Sequence, residues 1–212
     1  AAADALAAQA RLATLSPTAT IAELSDALRF SDLRVSATGT LSEPLARTVP
    51  GIGLERYLLR PSEIRALPTS PPWLSGRLAD LLAGWERAHL IGPGFGGELF
   101  AGLMLAPWGV NQLAQNRGAE RTLRQLAEGS RSTGGPAITP TVTATGRRLA
   151  IPLANGGFEY VDLLVSVRYE LPRRGRPPVR IDIQVGPDGS WRVTHNLSSG
   201  TWPADVPLSG AR

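Results

Sequence analysis

The segment "ERAHLIGPGFGG", residues 86–97, contains one of only two histidines in the chain. Arg87 precedes His89 by two residues, so both side chains lie on one face if the segment is a strand. An apolar run ends at Pro107, and Asn111 then falls in the first turn of a predicted helix. A neutral imidazole accepts a proton near pH 7, and an amide oxygen is a ligand for hard cations. The pattern therefore favours a general base beside a divalent cation.

Phosphodiester hydrolysis is the chemistry that suits this set. His89 would take a proton from water, Mg²⁺ bound by Asn111 and by waters would stabilise charge on the phosphate, and Arg87 would hold a phosphate. Glu120 lies nine residues after Asn111, which is two and a half turns of a regular α-helix. Glu120 would therefore share the site only if the chain were re-aimed at Gly118, or if its carboxylate oriented metal-bound waters.

The second histidine, His195, lies on the last predicted strand and permits a different mechanism. Two histidines that face one pocket could cleave RNA without metal, one as base on the 2′-hydroxyl and the other as acid on the leaving oxygen. Arg117 and Asn196 are further candidates for contacts with the substrate. The distance between His89 and His195 decides between the two mechanisms, and the sequence does not supply it.

Each candidate also has a structural interpretation. His89 could be a core histidine bonded to a backbone carbonyl, and Asn111 could simply begin a helix, where asparagine is favoured. Glu120 is typical of a solvated helix position and could pair with Arg124, four residues later. His195 and Asn196 could end a strand for structural reasons.

Composition excludes several classes of protein. The 212-residue chain has no cysteine, which excludes a disulfide scaffold, a zinc ribbon and thiolate catalysis. No apolar run is long enough to span a bilayer. All 22 basic residues are arginine, and the formal net charge is +4. Arginine binds phosphate through two hydrogen bonds, which favours a polyanionic partner, although a GC-rich genome produces the same composition.

The periodicity of the sequence predicts an α+β fold. Helical spacing of apolar residues predicts four helices, the last closed by Gly129; they are 1–15, 21–30, 73 to about 85, and 108–129. An apolar run before Pro107 predicts a buried strand. From residue 138 the period falls to two, which predicts an antiparallel meander; the five strand candidates are 138–145, 147–153, 158–171, 179–185 and 191–197. We expect a helical or irregular N-terminal extension, 1–72, and a functional domain, 73–212.

The motifs "RAHLIG", "FGG", "LMLAP" and "VN", followed by a glutamate, resemble the histidine-containing core of bacterial non-specific DNA/RNA endonucleases of the ββα-metal class. The resemblance is strongest to the versions found as C-terminal domains of polymorphic toxins, and it covers roughly Glu86 to Asn196. It implies a strand-loop-strand-helix core packed with an antiparallel meander. It also implies that His89 is the base, Asn111 a metal ligand and Glu120 a support for metal-bound waters.

The resemblance carries further expectations about cofactor, partners and location. They are a Mg²⁺ cofactor, a nucleic-acid substrate, an acidic immunity protein, and secretion or delivery into a target cell as part of a larger polypeptide. One feature departs from the pattern, because the asparagine expected before Pro107 is absent from "AGLMLAP". The alternatives are a metal-independent ribonuclease toxin, a non-catalytic binding or delivery domain, and a toxin with another activity such as ADP-ribosyl transfer, whose expected motifs are absent.

Overall fold

The computed structural model describes residues 7, 10–38, 58–89, 103–173 and 175–211, and it has the predicted α+β architecture. The helices are α1 (Ile21–Ala27), α2 (Pro61–Arg65), α3 (Trp73–Leu81), a π-helix (Gly109–Glu120) and α4 (Arg121–Ser132). The strands are β1 (Arg29–Thr38), β2 (Trp85–Ala88), β3 (Met104–Pro107), β4 (Thr141–Pro152), β5 (Phe158–Arg173), β6 (Arg176–Val185), β7 (Trp191–His195) and β8 (Ser209–Gly210).

The main sheet contains the predicted antiparallel meander. Its order is β1-β4-β5-β6-β7-β8, and each neighbouring pair is antiparallel. The first two strand candidates, predicted as separate strands, form one continuous strand, β4. A register shift between Thr145 and Gly146 leaves Val165 of β5 without a direct partner, which defines a β-bulge. The break that the sequence suggests in β4 is therefore a bulge inside the sheet and not a turn.

The two strands and the helix of the predicted strand-loop-strand-helix core are also present. Strands β2 and β3 pair antiparallel, and β3 meets β5 in parallel where Leu105 is opposite Leu163. Helix α3 ends at Leu81, so the prediction that it continues to Trp85 is wrong. Gly84 has a φ of 80° and turns the chain, and Trp85 then begins β2. The glycine-rich segment "PGFGG" between His89 and β3 lies outside the described residues.

The helix that follows β3 is a π-helix for its first twelve residues. The backbone N–H of Arg121, just after it, donates to the carbonyl of Asn116, five residues earlier. Buried positions on this helix recur at intervals of four and five residues; they are Val110, Ala114, Gln115, Gly118, Ala119 and Glu120. Nine residues are one interval of four plus one of five, so Asn111 and Glu120 lie on one side of the helix. This removes the objection that a regular α-helix would separate them.

Two helix ends differ from the prediction. Helix α4 continues through Gly129 to Ser132, and the left-handed residue that follows is Gly134, with a φ of 68°. Helix α1 ends at Ala27, because the following "RFSDLRVSAT" alternates in burial and pairs along β4 as strand β1. Pairing with another strand overrode the helical spacing at Phe30.

The predicted N-terminal extension contributes β1 to the main sheet. It also contributes residues of α1 and α2 to the same hydrophobic core as β4 to β7. The division at residue 72 stays a prediction. The tail from residue 198 is irregular apart from the short strand β8. In the part of the chain that the structure describes, no helix is long and apolar enough to cross a membrane.

Candidate active site

A carboxylate held by two side-chain amides lies between β2 and the π-helix. Oε2 of Glu86 accepts hydrogen bonds from Nδ2 of Asn111 at 3.0 Å and from Nε2 of Gln112 at 2.9 Å. The three side chains are half-buried, so the carboxylate is fixed in position and still partly open to solvent. Glu86 was not among the predicted site residues. Its signal in the sequence is weak, because one glutamate three residues before a histidine specifies no site.

The buried side chain of Gln115 joins the end of β2 to the main sheet. Its Nε2 donates to the backbone carbonyl of His89 at 3.3 Å and to the hydroxyl oxygen of Tyr169 at 3.1 Å. Gln115 is only 3% exposed, and its Oε1 has no hydrogen-bond partner in the described part of the chain. The residue immediately after β2 is thus tied to both the π-helix and β5.

Glu120 is buried and not solvated, since it is only 6% exposed. Its Oε2 accepts a hydrogen bond from Nη2 of Arg124 at 2.7 Å, which confirms the pairing considered from the spacing. Burial raises the pKa of Tyr169, and the negative charge of Glu120 raises it further, whereas the hydrogen bond from Gln115 and the charge of Arg124 lower it. Tyr169 therefore keeps its proton at neutral pH.

His89 follows β2 directly and is half-buried. Its carbonyl lies within hydrogen-bonding distance of Gln115, which is four residues after Asn111 and five before Glu120 on the same side of the π-helix. The structure thus brings the backbone of His89 to the helix that carries Asn111 and Glu120, whereas the alternation of β2, if it continued past Ala88, would turn the imidazole to the face of Arg87. The chemical roles assigned to them stay predictions.

Arg87 faces away from this region. Its Nε donates to the carbonyl of Leu58 at 2.9 Å, and its Nη2 lies 3.5 Å from Oε2 of Glu63 in α2. Neighbouring residues of a strand point to opposite faces, so Glu86 points toward the π-helix and Arg87 toward α2. The predicted phosphate contact is untested, and a phosphate would compete with the carbonyl of Leu58.

His195 lies on the same face of the sheet as Tyr169. Ile181 pairs with Tyr169 on one side and with His195 on the other, which places the histidine two strands, or about 10 Å, from Tyr169. Its ring stacks on Trp202, with 5.4 Å between ring centroids and 21° between planes. Nδ1 of His195 is buried and has no hydrogen-bond partner among the described residues.

Asn196 and Arg117, the other two predicted substrate contacts, do not face the polar groups around Glu86 and Gln115. The side chain of Asn196 accepts from the backbone N–H of Arg180 at 2.7 Å and donates to the carbonyl of Pro178 at 2.8 Å. These bonds join the end of β7 to β6. Arg117 is exposed on the outer side of the π-helix. Both assignments stay predictions.

The oxygen atoms of Glu86 and Asn111 fit a hard cation, because carboxylate and amide oxygens are the ligands that Mg²⁺ takes in proteins. Within the described ranges, no group of three or more histidine, cysteine, aspartate and glutamate side chains could hold a metal ion. A cation at this position would therefore keep several waters, as Mg²⁺ ordinarily does.

Residues 82–185 match the family model Ntox4, described as bacterial toxin 4. This match confirms the expected resemblance to a C-terminal domain of bacterial polymorphic toxins. The matched region contains β2, β3, the π-helix, α4 and the strands β4 to β6, and so it contains Glu86, His89, Asn111 and Glu120. No curated protein and no solved structure matches the chain. Residues 82–185, just under half of the chain, are therefore similar to the bacterial toxin domains of the Ntox4 family.

Proposed function

We propose that this toxin domain is a nuclease whose site is built from Glu86, His89 and Asn111, with Gln115 and Glu120 behind them. The observation that carries the proposal is the carboxylate of Glu86, which two amides hold three residues before His89. Fixing a carboxylate costs side-chain entropy and uses two amide donors. A site that needs an oriented negative charge beside a general base would explain why the carboxylate is held by two amides.

In this mechanism His89 takes the proton from the attacking oxygen, which belongs to water or to a ribose 2′-hydroxyl. Gln115 holds the backbone of His89 and so limits where the imidazole can lie. A Mg²⁺ ion at Glu86 and Asn111 would neutralise charge on the phosphate and the leaving oxygen. The pair of Glu120 with Arg124 keeps the inner side of the π-helix in place without touching the substrate.

A nucleic-acid substrate agrees with the charge of the chain. The formal net charge is +4, all basic side chains are arginine, and Arg117 is exposed on the helix that carries Asn111. An arginine-rich surface attracts a polyanion and binds phosphate through two hydrogen bonds. The same surface favours an acidic immunity protein as the partner in the producing cell, which a toxin delivered into target cells requires.

The test is incubation of the purified protein with plasmid DNA and with total RNA, each with Mg²⁺ or with EDTA. The variants are His89→Ala and Glu86→Gln, and the matched control is Glu128→Gln, which changes an exposed glutamate on α4. We expect cleavage by the wild type and by the control. We expect losses of about 100-fold or more in His89→Ala, the size of a general-base contribution.

Three outcomes separate the alternatives. Cleavage that disappears in EDTA and in both site variants supports the nuclease with a bound cation. If neither polymer is cleaved by the folded wild-type protein, the nuclease proposal is wrong and a binding domain or another toxin activity takes its place. Activity of Glu86→Gln equal to that of Glu128→Gln would remove Glu86 from the site.

A metal-independent ribonuclease is the second candidate, and one observation favours it. Nδ1 of His195 has no acceptor in the described part of the chain, although His195 lies on the same face of the sheet as Tyr169. Because this nitrogen is buried, the other ring nitrogen would have to exchange the proton with the substrate in this mechanism. Cleavage of RNA alone, surviving EDTA but lost in both His89→Ala and His195→Ala, would establish this mechanism.

A further inference from the structure

Three side chains form a row on the outer side of the π-helix. Trp108, at its N-terminal end, already has helical backbone angles, with a φ of −49° and a ψ of −43°. Gln112 follows after four residues and Arg117 after five more, the same two intervals at which the buried positions of this helix recur. The three side chains therefore lie along one side of the helix, and we call them the outer row.

Both ends of the outer row are open to solvent. Trp108 is 48% exposed, so a large part of its indole faces water. Arg117 is exposed and makes no hydrogen bond or ion pair with the described residues, whereas Arg121 and Arg124, farther along the chain, pair with carboxylates. One exposed apolar residue is common on a protein surface. An aromatic ring next to an arginine that has no partner in the described chain is the combination that binds nucleic-acid strands.

The backbone beneath the indole is fixed. The N–H of Trp108 donates to the carbonyl of Gly84, in the turn before β2, at 3.0 Å. The next residue, Gly109, packs closely on Trp191 of β7, because a Cβ there would lie 2.7 Å from the indole Nε1. Trp108 is therefore presented to solvent from a backbone that is held at β2 and at β7, which is the rigid support that a binding site needs.

Gln112, in the middle of the outer row, connects it to the proposed nuclease site. Its Nε2 donates to Oε2 of Glu86 at 2.9 Å, the same oxygen that Asn111 binds. Trp108 and Arg117 each lie one helical turn, about 5 Å along the axis, from Gln112. A nucleic-acid strand whose reacting phosphate lies at Glu86 would therefore have its neighbouring nucleotides over the outer row.

We propose that the outer row binds unpaired nucleotides of the substrate and makes the domain selective for single-stranded nucleic acid. The indole of Trp108 stacks on a base, and the guanidinium of Arg117 binds a phosphate through two hydrogen bonds. A base lies flat on an exposed indole only where it is not already stacked inside a duplex. This inference rests on the proposed nuclease function and adds the substrate class to it.

The experiment measures binding separately from cleavage, with the full chain carrying His89→Ala, in EDTA, by fluorescence polarisation. The probes are a short fluorescein-labelled single strand, as RNA and as DNA, and the duplex of the same sequence. Inorganic polyphosphate is the competitor that has charge but no bases. We expect the single strands to bind more tightly than the duplex. Trp108→Leu should weaken single-strand binding by about tenfold, the effect of losing one stacked base, and leave the affinity for polyphosphate unchanged.

Further variants separate stacking from charge. Trp108→Tyr keeps an aromatic ring and should keep most of the affinity, whereas Tyr160→Leu removes an exposed ring outside the outer row and should bind as its parent does. Arg117→Gln should weaken binding of both the single strands and polyphosphate and make it less dependent on salt. Arg131→Gln, which changes an exposed arginine at the end of α4, is its matched control. Thermal unfolding shows that each variant is folded.

Equal affinity for single strands and duplex would overturn the proposal. Single-strand binding that Trp108→Leu leaves unchanged would also overturn it, and a protein would then be the occupant of the outer row to test. Cleavage by the chain with His89 intact separates this failure from that of the nuclease. If that chain cuts and Trp108→Leu binds and cuts equally well, only the outer row is wrong. If single strands bind through Trp108 but neither polymer is cut, only the nuclease is wrong.

Discussion

The two histidines lie at the ends of two strands in different surroundings. Near the backbone of His89 lie Glu86, from the same strand, which accepts hydrogen bonds from the π-helix, and Gln115 and Tyr169, from distant parts of the chain, which are hydrogen-bonded to each other. Next to His195 lies the C-terminal tail, whose Trp202 stacks on the imidazole and donates to the carbonyl of Val206 at 2.9 Å. The first region is organised by hydrogen bonding and the second by aromatic packing.

The π-helix packs against both regions, and it contacts each in a different way. On its inner side, the widened turn aligns Asn111, Gln115 and Glu120 with the polar region. Gly118 of the same helix admits the ring of Trp202, because a Cβ there would lie 2.4 Å from the indole Cη2. We therefore expect substitutions near His89 to alter activity and substitutions near His195 to alter stability.

The largest effect expected is the loss of activity in His89→Ala. It should reduce cleavage of nucleic acid by about 100-fold or more, since it removes the general base. His195→Ala should keep activity within a few-fold and lower the melting temperature, because it removes the ring that stacks on Trp202. Initial rates and thermal unfolding of both variants measure the contrast. Equal losses of activity in the two variants would erase the distinction between the regions.

Gly118→Ala should destabilise the fold by about 1–3 kcal/mol, because the new methyl group would overlap the indole of Trp202. Gly129→Ala on α4 is the matched control, since nothing lies within 4 Å of a Cβ at that position. The control should be neutral or stabilising by up to about 1 kcal/mol, as alanine favours a helix. Denaturant unfolding of the two variants measures this difference. A Gly118→Ala variant as stable as Gly129→Ala would show that the tail does not pack as described.

Glu120→Gln should cost about 1–2 kcal/mol of stability, since it leaves the guanidinium of Arg124 facing a neutral amide. The cost is smaller than for a fully buried pair, because the side chain of Arg124 is 36% exposed and solvent screens its charge. Glu128→Gln should change stability by less than about 0.5 kcal/mol. Urea unfolding of both variants measures the difference. If they prove equally stable, Glu120 does not hold the polar region together.

Tyr169→Phe should cost about 1 kcal/mol at neutral pH, because Gln115 loses one of its two acceptors. It should also change the dependence of stability on alkaline pH. Burial raises the pKa of Tyr169 above its ordinary value of 10.0, so the folded chain keeps a proton that the unfolded chain releases. That contribution is complete below pH 10 and is lost as the pH rises further.

Unfolding of the wild type and of Tyr169→Phe between pH 9 and 11 therefore checks the burial of this hydroxyl. We expect the wild type to lose stability more steeply above pH 10, and Tyr160→Phe, which changes an exposed tyrosine, to keep the wild-type slope. Parallel curves for the wild type and Tyr169→Phe would contradict the described packing of the polar region.

The sequence by itself determined the order of elements and the region of chemical interest. Periodicity of two from residue 138 is a local property, and it predicted the meander because side chains alternate between faces of a strand. The spacing of apolar residues and the polar motif near His89 likewise indicated a strand-loop-strand-helix core. The motifs were sufficient to indicate a resemblance to bacterial toxin domains over roughly Glu86 to Asn196, and the family match covers residues 82–185.

Tertiary structure alone decided which polar groups meet. The role of Glu86 depends on amides 25 and 26 residues away, and the position of Gln115 depends on Tyr169, 54 residues away. The π-helix aligns Asn111 with Glu120, but no local spacing of residues predicts it in the way that apolar spacing predicts an α-helix. The spacing of Arg87 from His89 predicts a phosphate contact, but in the structure its guanidinium donates to the carbonyl of Leu58. Local patterns fix which face a side chain occupies, whereas its hydrogen-bond partners are set by whichever distant elements pack against that face.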